Sequence, residues 1–295
     1  MDFPWGVIVI YAGLAAWLLL FVMALRKGGR GPWRTFAAFG IGLLLVLNLR
    51  YFVEGIPASI AFFIGIYDVL INLGVPPEGA AAIAGCQTPD CSVWGERFAF
   101  HPEWGVAFHA RFLEGPELRR NLLHGHIFFN SVAFVLMHVQ LHWPGLGARR
   151  ALHKRLGRLT FLSVSLGVVC ACWLASEHHP VDAYGGSLSA WGFYFMSACV
   201  MVPAVVSAVT IRRGDLAAHR VWTFRFAGAM WGSFWLFRVM LFVLDPLLRD
   251  VRTAAILACI WLSAPLGIAI AEAWRRAAAR EGPLRDAHGA PAPAE

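Results

Sequence analysis

Long apolar runs recur along almost the whole chain, and short basic turns separate them. Several of these runs approach the roughly 20 residues that an α-helix needs to cross the hydrocarbon core of a bilayer. Hydrophobic residues make up 58% of the sequence and charged residues only 15%, which is typical of a membrane protein. We therefore predict an all-α polytopic membrane helix bundle with about seven transmembrane helices.

The apolar runs predict helices at about 5–25, 35–53, 118–143, 156–176, 188–211, 219–244 and 253–274. The first run has no basic segment before it and no small-residue cleavage site close behind it, so we interpret it as a membrane helix and not as a signal peptide. Residues 1–275 then form a single transmembrane domain. The last residues, 276–295, are rich in Ala and Pro and are expected to form a disordered cytoplasmic tail.

Residues 56–73 are apolar but contain Pro57, Gly65, Asp68 and Asn72, so they can either span the membrane or lie along its surface. If they do not span, 16 Lys and Arg residues fall on one side of the membrane and 7 on the other. The positive-inside rule favours this arrangement. It predicts an external loop region, 54–117, with an external N-terminus and a cytoplasmic C-terminus in a bacterial inner membrane. The net charge of +7 then orients helices and requires no nucleic acid partner.

Two of the six cysteines, Cys86 and Cys91, stand in the polar segment CQTPDC of the external loop region. An oxidising compartment allows disulfides to persist, so we predict a disulfide between these two residues. The other four cysteines lie within apolar runs, where cysteine behaves as a small core residue.

The apolar run from Leu122 to Trp143 contains four histidines. Because each residue of an α-helix turns by about 100°, His124, His138 and His142 share one face, with Asn121 and Ser131 beside it, while His126 points elsewhere. An imidazole within a bilayer is costly and faces a cavity, a partner or a cofactor.

Histidines also cluster at two depths of the predicted bundle. His138, His142, His153 and His219 lie near the cytoplasmic ends of helices, and His124, His126, His178 and His179 lie near the outer ends. His124 and His138 are separated by a rise of about 21 Å, which suits two cofactor centres, one in each leaflet.

This distribution predicts a b-type haem protein that transfers electrons, with one or two haems held by neutral imidazoles. His124 would bind an outer haem with His178 or His179, and His138 an inner haem with His153 or His219. Arg225 or Arg238 would meet the propionates, and the charge of Arg225 is expected to be compensated by a propionate, a lipid phosphate or helix carbonyls.

Two other functions remain open. His138 and His142 stand four apart and can chelate a single transition metal ion, which His153 or His219 would complete. Alternatively, the chain is a cofactor-free structural or assembly subunit, and its histidines only cap helix ends or meet lipid phosphates. The expected partners are membrane lipids, a quinone or another redox protein, or a larger membrane complex.

Three sequence motifs are similar to those of a known family. They are LLH at the head of the third helix, LHKRLGRL at the head of the fourth, and IRRGDLAAHRVWTFR before the sixth. With these motifs, residues Leu122 to Arg238 resemble a bacterial family of predicted membrane proteins, the domain of unknown function numbered 2306. The resemblance implies a four-helix membrane core and no defined activity. The histidines at helix entries are also similar, in a general way, to those of transmembrane b-type cytochromes.

Overall fold

A computed structural model describes residues 5–27, 30–56, 115–143, 145–146, 148–176, 187–241 and 252–280. Within these ranges the chain forms seven helices: α1 Trp5–Lys27, α2 Arg30–Val53, α3 Glu117–His142, α4 Arg150–Ser176, α5 Ser187–Arg212, α6 Leu216–Trp231 and α7 Arg252–Arg280. α6 continues through a π-helical turn, Gly232–Leu236, to residue 241. The predicted all-helical architecture is confirmed.

Five helices of the described part are long and apolar enough to cross a membrane: Gly31–Val53, Glu117–His142, Arg150–Ser176, Ser187–Arg212 and Ile256–Arg276. Large apolar side chains also face outward, for example Leu19, Val169 and Trp191, each at least 61% exposed. An extended apolar exterior would be unfavourable in water and suits lipid. The protein is therefore a polytopic helical membrane protein.

α2 and α3 run antiparallel over their whole length. At one end of the pair, Asn48 donates a hydrogen bond to Ser131 Oγ at 2.7 Å, and the ring of Phe52 lies 5.4 Å from that of His124. At the other end, Arg34 Nε donates to the carbonyl oxygen of His142 at 3.0 Å. The last turn of α2 and the first turn of α3 therefore lie at the same end of the bundle.

The later helices also alternate in direction. α3 meets α4 through Gln140 and Thr160, whose side chains are 2.7 Å apart, and α5 meets α6 through Ser207 and Thr223 at 2.8 Å. One end of the bundle consequently collects the basic residues at positions 26–27, 149–158, 212–220 and 275–276. We call it the basic end. The opposite end contains the last turn of α2 and the first turn of α3.

Glycines bring α6 and α7 into backbone contact. A Cβ atom added to Gly267 of α7 would lie 2.0 Å from the carbonyl oxygen of Gly228, and one added to Gly232 would lie 2.2 Å from that of Ser263. Gly228 and Gly232 stand four apart, the GxxxG spacing that allows membrane helices to approach closely. The π-helical turn begins at Gly232, within this crossing.

Aromatic rings fill the interior between α1, α2, α3 and α6. The ring of Trp235 lies 5.0 Å from that of Trp17, and the ring of Trp231 lies 6.1 Å from that of Trp33. Gly40 leaves room for this packing, because a Cβ atom there would lie 2.7 Å from the indole nitrogen of Trp17. The rings hold the inner face of α3 against α6 and so position the histidines of α3.

Several boundaries differ from those expected. α4 begins at Arg150 and not near Leu156, so the segment containing His153 belongs to the helix and not to a turn. α6 begins earlier than His219 because Asp215 caps it, its Oδ1 accepting a hydrogen bond from the backbone N–H of Ala218 at 2.8 Å. α7 continues to Arg280, past the expected start of the tail.

Other predictions fall outside the described residues. They concern the loop region from residue 57 to 114, the pair Cys86 and Cys91, the pair His178 and His179, and the tail after residue 280. None of the described cysteines, which are Cys170, Cys172, Cys199 and Cys259, is in a disulfide.

Candidate functional site

His138 is buried at the centre of the bundle with only 1% of its surface exposed. The indole N–H of Trp231 donates a hydrogen bond to its Nε2 at 2.9 Å, and its Nδ1 lies 2.9 Å from the carbonyl oxygen of Phe134. Because an indole nitrogen can only donate, Nε2 is the acceptor and Nδ1 bears the proton. His138 is therefore a neutral imidazole with both nitrogens engaged.

His142 follows one helical turn later, with its ring 5.7 Å from that of His138. Its plane is parallel to that of Trp33, at 6.5 Å between centroids, and its Nε2 is buried with no hydrogen-bond partner among the described residues. The predicted metal chelate of His138 and His142 would require His138 to give up its bond to Trp231. Only His142 has an available nitrogen in this arrangement.

We call His153 and His219 the second histidine pair, because both lie at the basic end. His153 stands in the first turn of α4 and His219 in the first turn of α6. The structure thus places these two histidines at the same end of the bundle, whereas His138 and His142 are neighbours on α3 with rings 5.7 Å apart. Both pairs lie at the depth where an inner cofactor was predicted.

A chain of hydrogen bonds fixes the tautomer of His219. Its Nδ1 lies 3.0 Å from both the carbonyl oxygen and the hydroxyl of Ser207. Ser207 Oγ lies 2.8 Å from Thr223 Oγ1, which in turn donates to the carbonyl oxygen of His219 at 2.8 Å. Since a carbonyl oxygen can only accept, Nδ1 bears the proton and Nε2 retains its lone pair. Metal-binding histidines are commonly oriented in this way by a backbone carbonyl.

His153, the other histidine of this pair, also has an available nitrogen. Its Nδ1 is buried without a hydrogen-bond partner in the described part of the chain. Two helices thus present two imidazoles, of which His219 has Nε2 available and His153 has Nδ1 available. Neutral imidazoles with an available nitrogen are the form in which histidine binds iron, zinc or copper.

The surroundings of this pair are basic. Arg149, Arg150, Lys154, Arg155 and Arg158 lie on or just before the first turns of α4, and Arg212, Arg213 and Arg220 flank the start of α6. Asp215 is the carboxylate between α5 and α6, and one of its oxygens caps α6. Across the described residues, no three His, Cys, Asp or Glu side chains form a group that could hold a metal ion.

At the opposite end, the two remaining histidines of α3 face different neighbours, as predicted. His124 packs its ring against Phe52 of α2, and its Nε2 is buried with no partner within the described ranges. His126 faces α4 instead, with Nδ1 3.2 Å from the carbonyl oxygen of Gly167 and 3.0 Å from Asn130 Nδ2. The predicted partners of His124 lie outside the described residues.

Arg225 is charge-compensated, as predicted, but by a residue that sequence reasoning missed. Its Nε lies 3.4 Å from a carboxylate oxygen of Glu272, and its guanidinium lies 4.4 Å from the ring centroid of Trp222. Arg238, near the other end of α6, donates from Nη1 to the carbonyl oxygen of Phe234 at 2.6 Å. Glu272 could have been found as an isolated acidic residue within the apolar α7.

Trp231 and Thr223 also escaped the sequence reasoning. Both lie in a helix with several tryptophans and arginines, and their roles depend on which residue of another helix faces them. The crossing of α6 and α7 did leave a signal, because GAMWG at 228–232 has the GxxxG spacing.

The comparisons with known proteins identify a family. The family model described as "Predicted membrane protein (DUF2306)" matches residues 123–274, which is more than half of the chain and runs from α3 through most of α7. The match therefore includes α7, beyond the four helices expected, and leaves α1 and α2 outside it. No curated protein and no solved structure matches. The chain belongs to the DUF2306 family of predicted membrane proteins.

Proposed function

We propose that the protein is a membrane electron-transfer protein that binds a b-type haem at the basic end, between His153 of α4 and His219 of α6. The observation that supports this most is the hydrogen bond from His219 Nδ1–H to Ser207, because it leaves Nε2 as the ligand atom. The two imidazoles come from different helices, which a haem with two histidine ligands requires. His138, which the sequence predicted as a ligand of the inner haem, is thus replaced in this role by the pair His153 and His219.

Electrostatics favour a haem over a bare metal ion at this site. A divalent cation would add positive charge beside at least eight Arg and Lys side chains at positions 149–158 and 212–220. Two haem propionates would instead bring negative charge to guanidinium groups, which bind carboxylates in a bidentate manner. The partial burial of His153 also suits a group with one apolar face and one charged edge.

A b-type haem with two histidine ligands supplies one-electron transfer. The residues of this chain then have distinct tasks. His153 and His219 would hold the iron, Ser207 and Thr223 would keep the His219 ring in its orientation, and arginines in the first turns of α4 and α6 would bind the propionates. The electron partner is a membrane quinone or another redox protein.

A second haem at the opposite end is supported by one observation. His124 Nε2 is buried and lacks a hydrogen-bond partner in the part of the chain that the structure describes. A buried polar atom without a partner is costly, so a ligand that engages it would stabilise the protein. His178 and His179, which follow the end of α4, are the proposed second ligands for this outer haem.

The basic end is proposed to face the cytoplasm of a bacterium. It collects the basic residues of four chain segments, whereas the opposite end of the described bundle has fewer. The positive-inside rule assigns the side with more Lys and Arg to the cytoplasm. The haem between His153 and His219 would therefore lie at the cytoplasmic surface of the inner membrane.

An optical spectrum tests the proposal. The full-length protein is expressed with ample haem supply and purified in detergent, and reduced-minus-oxidised spectra are recorded. We expect a Soret band, and we expect His153→Ala and His219→Ala each to remove it or its inner-haem component. The matched controls Lys154→Gln and Leu216→Ala change exposed residues of the same helical turns that bind no propionate, and they should retain it.

The other outcomes are also informative. A loss of part of the absorbance in His124→Ala would support the second haem. A wild-type protein without any Soret band would contradict the proposal. In that case, elemental analysis would distinguish the alternatives. Bound zinc, copper or iron would indicate a metal-binding membrane protein, and its absence would favour a structural or assembly subunit.

A further inference from the structure

The carboxylate of Glu272 joins three arginines at the basic end. Its Oε1 accepts hydrogen bonds from Arg275 Nη2 at 2.7 Å and Arg276 Nε at 3.2 Å. Its Oε2 accepts from Arg225 Nε at 3.4 Å and Arg275 Nε at 3.3 Å. With two donors on each oxygen, this carboxylate has little capacity left for further guanidinium groups.

The arginines, by contrast, retain unused donors. A guanidinium has five N–H groups, and Arg225 and Arg276 each use only the one on Nε toward Glu272. Their terminal NH2 groups have no acceptor among the residues that the structure describes. Three guanidinium groups and one carboxylate also leave a surplus of positive charge at this point.

Exposure and aromatic neighbours place this cluster at a lipid surface. The side chain of Arg276 is 67% exposed and that of Arg225 is 29% exposed, so both are accessible from outside the bundle. Trp222 lies under the guanidinium of Arg225, and Trp274 lies on the same stretch of α7. Tryptophan and arginine together are typical of the headgroup region of a membrane.

We propose that Arg225, Arg275 and Arg276 bind the phosphate of an anionic phospholipid headgroup at the basic end. Guanidinium groups match phosphate oxygens in a bidentate manner, and the surplus charge selects an anionic lipid over a zwitterionic one. Glu272 serves as the fixed centre that spaces the three arginines. This inference does not depend on the haem, since it uses none of the same residues.

Native mass spectrometry of the full-length protein tests the proposal. The protein is incubated in detergent with equal amounts of phosphatidylglycerol and phosphatidylcholine, and the retained lipids are counted. We expect several-fold more phosphatidylglycerol than phosphatidylcholine. The double variant Arg225→Gln/Arg276→Gln should bring the two lipids to equal retention. Arg276→Gln alone should lower the ratio without affecting folding, because its side chain is mostly exposed.

Two further variants sharpen the result. Glu272→Gln removes the only carboxylate of the cluster and should raise the retention of phosphatidylglycerol, provided that thermal unfolding shows a folded protein. Arg212→Gln changes an exposed arginine outside the cluster and should leave the ratio unchanged. Equal loss in Arg212→Gln and in Arg276→Gln would overturn the proposal, as would an unchanged ratio in the double variant. Full displacement of the lipid by inorganic phosphate would overturn its assignment to a lipid.

Discussion

At the scale of single residues, the hydrogen bonds of each imidazole determine which nitrogen can bind a ligand. His138 has the most buried ring of the described histidines, and both of its nitrogens are engaged. His219 lies nearer the surface, yet its Nδ1 contact with Ser207 leaves Nε2 available. Position on the helix alone would favour His138 as the ligand-binding residue, whereas the hydrogen bonds favour His219.

Trp231→Phe tests the role of the buried bond to His138. Phenylalanine keeps an aromatic ring but lacks the N–H, so His138 Nε2 becomes a buried acceptor without a donor. We expect the free energy of unfolding to fall by about 1–3 kcal/mol. The control is Trp191→Phe, because the side chain of Trp191 is 65% exposed. This substitution should change the free energy of unfolding by less than about 0.5 kcal/mol. Equal losses in the two variants would contradict this role.

Thr223→Val tests the chain of bonds behind His219. Valine keeps the branched shape but removes the hydroxyl that contacts Ser207 Oγ, so the orientation of the His219 ring is less restricted. If His219 binds haem, the affinity for haem should fall about 10–100-fold, as is usual when such a supporting partner is lost. Thr35→Val is the control, since among the described residues the hydrogen bond of Thr35 Oγ1 goes to a carbonyl of its own helix. Unchanged haem affinity in Thr223→Val would contradict the positioning role.

The sequence alone predicted which residue types mattered but not their partners. The shared face of His124, Ser131 and His138 follows from helical geometry, and the structure places that face toward α2 and α6. The partners of His138 and of Arg225 could not be predicted, because they depend on the rotation of α6 and α7 about their axes.

At the scale of helices, the contact between α6 and α7 requires glycine. In Gly267→Ala the new Cβ atom would lie 2.0 Å from the carbonyl oxygen of Gly228, so the two helices would have to separate. We expect the free energy of unfolding to fall by about 1–3 kcal/mol. Gly42→Ala is a matched control, because its Cβ atom would meet nothing within 4 Å. Alanine favours the helix more than glycine, so Gly42→Ala should not destabilise the protein. A similar loss in both variants would therefore contradict a specific role for the crossing.

Helix boundaries were predictable where an apolar run ends in a proline, glycine or basic cluster. The start of α4 could not be predicted in this way. The basic residues of 150–158 were interpreted as a turn, but they form the first turns of α4, which extends beyond its apolar part. The π-helical turn at Gly232–Leu236 also had no signal in the hydrophobic pattern. It coincides with the close approach of α7, which only the assembled bundle reveals.

At the scale of the whole molecule, the antiparallel contacts of α2 with α3 put residues 53 and 117 at one end. The charge count had pointed to the same arrangement, because separate basic clusters can share a side of the membrane only if residues 56–73 do not add a crossing. The pairing of particular helices could not be obtained from charge, since it depends on which faces interlock.

Cysteine labelling tests the proposed orientation. In a background with Cys86→Ser and Cys91→Ser, Arg213→Cys at the basic end should be protected from a membrane-impermeant thiol reagent in intact cells. Glu117→Cys at the opposite end should react. Both positions are exposed, so both should react after permeabilisation, which is the control. If Arg213→Cys reacted in intact cells and Glu117→Cys did not, the orientation would be the opposite of the one proposed.

The low-temperature electron paramagnetic resonance spectrum of the oxidised full-length protein, supplied with haem, tests the central claim most directly. We predict the low-spin ferric signal of an iron with two imidazole ligands, and we predict that this signal is lost or converted to high spin in both His153→Ala and His219→Ala. A protein with no haem signal would contradict the claim, and so would a low-spin signal that remains unchanged in His219→Ala.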